Sequence, residues 1–423
     1  MRKRVVITGM GVVAPNAIGV PAFYEALRAG ESGLRHDPQL EQLKFGCQVA
    51  GEPQLDEATI AKYFTPLQLR SMKASGLVYG VIAGKEAFAM AGFEPAPPDR
   101  AHTRIGCIFG TGQSGSEKFR EAIHLIDDGR VRRLGSTSVI QTMASGISAW
   151  LAGELGLGDW VTSNSSACCT GTEAVLMGYN HIASGAADVM LVGSTSDSGP
   201  YIWGGFDAMR VLPTAYNDNP TAASRPMDEH SKGFVPGSGS GALVLESLEN
   251  AQARGAKILA EVKGGAMNCG GQRGDGSMTA PHGAAVQACI RQALENAQVT
   301  AQEITAINGH LTATVKDAYE VENWTHALQL EKSELPYLNS FKGAIGHCLA
   351  AAGSVELVGS ILQLQHNEVF PNVNLQNPQQ AITDLWPVEK LPTQLVDCEQ
   401  QVVVKASFGF GDVNAVVVVG QIE

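Results

Sequence analysis

An α/β fold is predicted by three observations on the 423-residue chain. Short β-branched runs alternate with Ala-rich segments of helical length, and the 48 glycines cluster between apolar runs without a fixed period. Hydrophobic residues make up 44% against 17% charged, which supplies a core for more than one domain-sized unit and argues against disorder.

Taken in order, the elements bear this out as a pattern of sheets covered by helices. RVVITG (4–9) opens as a strand; its basic start resembles a signal peptide, but Gly9 and Gly11 break the run and no cleavage site follows. RIGCIFG (104–110), ADVMLVGS (187–194) and GALVLES (241–247) read as further strands. LENAQARGAK (248–257) reads as a helical, polar connection, which places a boundary near 250 and divides the chain into 1–250 and 251–423. ILAEVKGG (258–265), ITAINGH (304–310) and NAVVVVG (414–420) restart the strands, and Gly-, Asn- and Pro-rich loops are expected at 211–226 and 264–283.

Bulk properties narrow the function. The net charge of −12 and the lack of clustered Lys and Arg exclude a nucleic-acid partner, and no apolar run is long enough to span a membrane. The eight cysteines (47, 107, 168, 169, 269, 289, 348, 398) show neither disulfide nor zinc spacing, which points to a reducing cytoplasm.

Two glycine motifs, GMGVVA (9–14) and GTGQSG (110–115), match the dinucleotide fingerprint and make an NAD(P)-dependent dehydrogenase a competing expectation. Pro15 and Asn16 follow the first directly, where the fingerprint needs a helix N-terminus. Glycine turns at strand-to-loop corners are the preferred account of both.

The stretch SNSSACCTGTEAV (163–175) places Cys168 and Cys169 between a strand-like and a helix-like run. A thiol at such an elbow lies near a helix N-terminus, whose dipole and free N–H groups favour thiolate and bring its pKa from about 8.5 toward neutrality. Adjacent cysteines are equally well explained as packing residues, and local sequence does not choose between the two. ITAINGHLTATVKDAYE (304–320) adds His310 at a strand end, with Thr312 and Thr314 beyond it; LNSFKGAIGHCLAAAGSVELV (338–358) adds Lys342 and His347. One Cys with two loop histidines is a nucleophile and polarising pair suited to acyl-thioester chemistry.

These segments, with RPMDEHSKGFVPGSGSGALVLE (225–246) and FGFGDVN (408–414), resemble in order and over essentially the whole chain the elongating β-ketoacyl-acyl carrier protein synthases, condensing enzymes of the thiolase superfamily. The resemblance implies two similar α/β halves in a five-layer α/β/α/β/α sandwich. It implies no bound cofactor, substrates carried on the phosphopantetheine of an acyl carrier protein, and a homodimer or a heterodimer with a related ketosynthase-like subunit. The family's run of small residues around its nucleophile fits Cys168 better than Cys169. By resemblance, Cys168 takes the acyl chain, the N–H groups of Cys168 and Phe410 form an oxyanion hole, and His310 and His347 donate to the enolate of a decarboxylating malonyl thioester. Lys342 would orient the site with Glu320 as its supporting carboxylate; Thr312 and Thr314 would bind pantetheine, Phe408 would line the substrate path and Phe410 would gate it.

Three departures stand out. HLTATVKD is one residue shorter than the family's HGTSTxxGD, GSGSG (237–241) loses a carboxylate at Ser238, and FGFGDVN puts Asp412 and Val413 where Gly and Thr are usual. They suggest a specialised member serving a polyene, pigment or other dedicated lipid pathway. A non-catalytic partner resembling the chain-length factors is the other alternative, disfavoured because such partners typically lack the Cys.

Overall fold

Strand β1 (Val5–Ala14) carries two of the fingerprint glycines, and it shows what they do. A Cβ on Gly9 or Gly11 would lie 2.1 or 2.0 Å from the carbonyl oxygens of Ala87 and Ala83 on helix α1 (Ser75–Met90). These glycines let a helix seat directly on a strand. That contact accounts for both glycines.

The computed structural model describes residues 2–422. Besides the short strand Ala17–Ile18, which pairs with the end of β1, the remaining strands of the main sheet are β2 (Ile105–Thr111), β3 (Val161–Thr162), β4 (Val189–Ser196), β5 (Gly239–Ser247), β6 (Ala260–Cys269), β7 (Ile304–Asn308), β8 (Tyr337–Asn339), β9 (Val402–Gly409) and β10 (Val413–Gly420). They run β8-β7-β9-β10-β6-β1-β5-β4-β2-β3 across the sheet. The order β3-β2-β4-β5-β1 is thus repeated as β8-β7-β9-β10-β6. The senses repeat too: parallel on both sides of β2 and of β7, antiparallel elsewhere within each run. The two runs meet where Val5–Ile7 of β1 pair antiparallel with β6.

Helices α1 and α2 (Gly146–Leu155) cover the outer face of the first run, and α4 (Gly283–Ala297) with α5 (Asp317–Leu328) covers the second. Between the runs lie α3 (Thr170–Ala183) and α6 (Ala352–His366). This gives the alternation of layers that the resemblance implies. Helix α6 is buried on all sides from Ala352 to Leu364, so its sequence carries no polar stripe.

The N-termini of α3 and α6 cross at two glycines. A Cβ on Gly171 would stand 2.4 Å from the Ser354 nitrogen, and one on Gly353 would stand 2.5 Å from the Thr172 nitrogen. Cys168 precedes α3 by two residues and His347 precedes α6 by five, so this crossing brings the two segments together.

Two local expectations change. Strand β6 continues through Gly264 and Gly265 to Cys269, held by its ladder with β10, so the loop expected from 264 begins at 270. The strand expected before the cysteine pair is only the two residues of β3, followed by a polar elbow.

Gly353→Ala should lower the unfolding free energy by about 1–3 kcal/mol, because the added methyl meets backbone and not a movable side chain. Urea denaturation of the purified variant measures this directly.

Candidate active site

The elbow before α3 is built by side chains that satisfy its own backbone. Thr170 Oγ1 accepts from the Ser166 N–H at 2.9 Å and donates to the Ala167 carbonyl at 2.7 Å. Glu173 accepts from Ser166 Oγ at 2.6 Å and from Asn164 Nδ2 at 2.7 Å. Ala167 is held at φ 50, a left-handed conformation that costs a non-glycine residue about 1–2 kcal/mol. The clamp imposes that turn and aims the Cys168 thiol into a cavity.

Cys168 Sγ lies 3.2 Å from His347 Nε2. His347 Nδ1 accepts the Leu349 N–H at 3.2 Å, so the neutral ring must carry its proton on Nε2 and present it to the sulfur. The His310 ring packs edge-on against that of His347, with centroids 5.2 Å apart, and its Nδ1 is buried without a partner. Burial first, and then the positive charge of Lys342, push both imidazoles well below their ordinary pKa, so both are neutral N–H donors at pH 7.

The thiol differs from the expectation for an elbow at a helix N-terminus. Burial dominates and pushes Cys168 up to about 11; Lys342 and the N–H groups of Phe410 and Cys168 offset this only in part. The N–H groups of Phe410 and Cys168 therefore both face the sulfur. Cys169 is buried, and its thiol donates to the carbonyls of Ser407 at 3.1 Å and Val413 at 3.2 Å. It bridges β9 to β10 and is turned away from the cavity.

Lys342 does not pair with Glu320. Its Nζ lies 2.5 Å from Glu356 Oε1 on α6, and both side chains are almost wholly buried. Glu320 instead accepts the N–H groups of His310 at 2.6 Å and Leu311 at 2.7 Å, with the Trp324 indole at 3.4 Å. It fixes the peptide that carries His310, a role its place in the sequence did not reveal. The shortened HLTATVKD loop winds around Asp317, whose carboxylate takes the N–H groups of Thr312, Ala313, Thr314 and Met227.

Two cavities meet at Cys168. One, of about 280 Å³, is lined by His310, Thr312, Thr314, His347, Phe408 and Phe410; the other, of about 200 Å³, by Gly112, Gln113, Ile202, Phe206, Leu349 and Phe410. Phe410 lines both, and its ring packs on Phe206 at 6.0 Å, which packs on Phe234 at 5.4 Å and so reaches His347 at 5.2 Å. Phe206 and Phe234 went unread in the sequence: Phe206 follows Tyr201 and Trp203 in one short helix, Phe234 stands alone in a glycine-rich segment, and neither setting marks a cavity wall. Asp412, the departure beside Phe410, adopts φ 64 and accepts the N–H groups of Gln272 and His282, each at 2.8 Å. It fastens the turn after Phe410 to both ends of the 270–282 loop.

The second fingerprint, GTGQSG, does not receive a phosphate. The N–H groups of Gly115 and Ser116, which open the helix Ser116–Asp127, are taken by the Asp197 carboxylate at 2.6 and 3.4 Å. An anion there would face that carboxylate. Cys168, His310 and His347 are close enough to hold a metal ion, but Lys342 and Lys405 raise the local positive potential against a second cation.

Comparison with known proteins follows the same residues. The N-terminal domain of the β-ketoacyl synthase family matches residues 2–251 and its C-terminal domain matches 259–376. The chain is 36% identical to the chloroplastic 3-oxoacyl-[acyl-carrier-protein] synthase I of Arabidopsis thaliana, over 98% of its own length and 86% of the relative's. Among solved structures, it is similar at TM-score 0.88 and 28% identity to a type II polyketide ketosynthase in complex with its acyl-carrier protein and bound to a hexaketide, with full coverage of both chains. The ishigamide ketosynthase/chain length factor matches at TM-score 0.88 and 27% identity, again over both full lengths.

Burial holds the Glu320 carboxyl up at about 7, against an ordinary 4.5. Between those values the folded state binds more protons than the unfolded chain, so its contribution to stability is full below about 4.5 and is lost as pH rises through about 7. The unfolding free energy of wild type minus that of Glu320→Gln should therefore fall by on the order of 1–3 kcal/mol across that window and then stay flat. Urea titrations at stepped pH give the slope; a difference independent of pH would refute it.

Proposed function

Because the chain belongs to the β-ketoacyl synthase family, and so catalyses the acyltransferase condensation of that family in fatty acid or polyketide biosynthesis, we propose that Cys168 carries the acyl chain and that His310, His347 and Phe410 assemble the condensing site around it. The observation that carries this assignment is the 3.2 Å approach of His347 Nε2 to Cys168 Sγ at the junction of two cavities.

In the first step the Cys168 sulfur attacks the thioester carbonyl of a carrier-bound acyl group. The Cys168 and Phe410 N–H groups hold the oxyanion, and the pantetheine thiol departs with the proton that the cysteine gave up. Thiol enters and thiol leaves, so the raised pKa of Cys168 does not burden the overall balance. In the second step a malonyl thioester enters past Thr312 and Thr314, whose hydroxyls lie 3.2 Å apart on the wall of the larger cavity. Loss of carbon dioxide leaves an enolate, to whose oxygen the neutral imidazoles of His310 and His347 donate. The enolate carbon attacks the acyl carbonyl, the Cys168 thiolate leaves, and one proton restores the thiol. Neither step needs a resident cofactor.

Phe408 lines the larger cavity, Phe410 stands between the two, and movement of Phe410 opens the smaller one to the acyl chain. The substrates' carrier is an acyl carrier protein. A second subunit, either another copy or a related ketosynthase-like chain, would cover the exposed apolar side chains of Phe119, Ile123 and Ile126. Cysteine usage favours a reducing cytoplasm. The two halves would divide near residue 250, a reading supported by the repeat of strand order on either side of it.

Incubation with an acyl-carrier thioester followed by peptide mapping should place the acyl mass on Cys168. Mass on Cys169, or on neither cysteine with a competent substrate, would sink the assignment. His310→Ala should keep the acylation step while losing condensation by about 10²–10³-fold, the range for removing one donor to a developing oxyanion.

A further inference from the structure

Lys405 sits in the middle of β9, in the run VVVKASFG, between residues that face two hydrophobic cores. Val403 packs into the core shared with α3 and α6, while Val404, Ala406 and Phe408 pack into the core beneath α4 and α5. A lysine wholly buried at such a position needs a partner, since an isolated ammonium costs several kcal/mol to desolvate. Its Nζ lies 2.8 Å from Glu356 Oε2, and it also donates to the Ala406 carbonyl. Glu356 is the carboxylate whose other oxygen meets Lys342 at 2.5 Å.

We propose that Lys405 is a positioning residue of the condensing site: by occupying the second oxygen of Glu356, it leaves the Lys342–Glu356–Lys405 cluster with one net positive charge behind Cys168, His310 and His347. Lys342 and Glu356 alone would cancel, and the nucleophile and both imidazoles would face a neutral pair. With Lys405 added, the sum is two cations and one anion, buried where screening is weak. That excess favours the thiolate of Cys168 and the anions of both steps. It also disfavours protonation of the histidines, and both Lys342 and Lys405 act in that direction on each ring.

The other titratable groups facing Lys405 are Glu320 on α5, Cys169 before α3 and Lys342 itself. Glu320 accepts two backbone N–H groups and belongs to the His310 peptide. Cys169 donates to two carbonyls and stays a thiol. Neither replaces the charge that Lys405 adds.

The assignment rests on Cys168 as nucleophile, but its test does not require substrate. Well below the Cys168 pKa, at about pH 7.5, where Lys405 still carries its proton, the rate at which iodoacetamide alkylates Cys168, located by peptide mapping, is proportional to the small thiolate fraction. Lys405→Met removes one charge and should lower that rate about tenfold, the equivalent of one pKa unit; Lys405→Gln does the same should the methionine variant fail to fold. Lys405→Arg keeps the charge and should keep the rate. The double variant Glu356→Gln/Lys405→Met leaves Lys342 as the sole charge, the same net +1 as wild type, and should return the rate to its wild-type value. A neutral variant with an unchanged rate, or a double variant that cannot regain the wild-type one, overturns the proposal and makes Lys405 a packing residue. Failure of acylation at Cys168, by contrast, would overturn the nucleophile assignment and leave this charge effect standing.

Discussion

The crossing of α3 and α6 is the contact on which the active site depends. Two glycines let the backbones of these helices touch, and the segments that precede them converge from halves of the chain about 180 residues apart. A larger residue at either point would drive apart the Cys168 and His347 segments before it altered any side chain of the chemistry. Both helices are covered by strands on two sides, so the misfit could not be relieved by tilting into solvent. Catalytic geometry here is a by-product of how tightly two repeated units share a central layer.

Around that crossing, buried carboxylates take the place that loops usually give to water. Glu320 holds the peptide of His310, Asp317 winds the two-threonine loop, Asp197 closes the N-terminus of the helix after the second fingerprint, and Asp412 fastens the turn after Phe410. Each accepts backbone N–H groups that burial would otherwise leave unpaired, at a cost of about 1–3 kcal/mol apiece. Glu356 differs in that it serves two cationic side chains. At the reaction centre itself one carboxylate, Glu356, faces two lysines.

The strands were legible because β-branched runs bounded by glycine are a strong local signal, and β1, β2, β4, β5, β6, β7 and β10 fall where the chain suggests them. Their lateral order was not, since nothing in RVVITG or ILAEVKGG says that β1 will pair with β6. The positions of Cys168, His310, His347 and Lys342 could be picked out from residue types at element ends; which carboxylate meets which lysine could not. Glu320 and Glu356 both lie in helices, but a helix buried on every face, as α6 is, leaves no amphipathic pattern to show where its one glutamate points. The fingerprint glycines misled for a related reason. A glycine required by strand-to-helix contact and one required by a phosphate look alike until the neighbour is known.

Cys168 and Cys169 illustrate how adjacent identical residues acquire opposite roles. A turn forced at Ala167 sends the first side chain into the cavity and leaves the second as the cap residue of α3, facing β9 and β10. There the thiol donates to Ser407 and Val413, the residues on either side of the turn that carries Phe410 and Asp412. A small donor is what that place requires, and a hydroxyl would meet the need equally well. The second cysteine is therefore tied to the gate turn through its hydrogen bonds and to the reaction through nothing else; its chemistry is structural although its neighbour's is not. Identity of residue type thus carries no role at this elbow, whereas the single φ at Ala167 does.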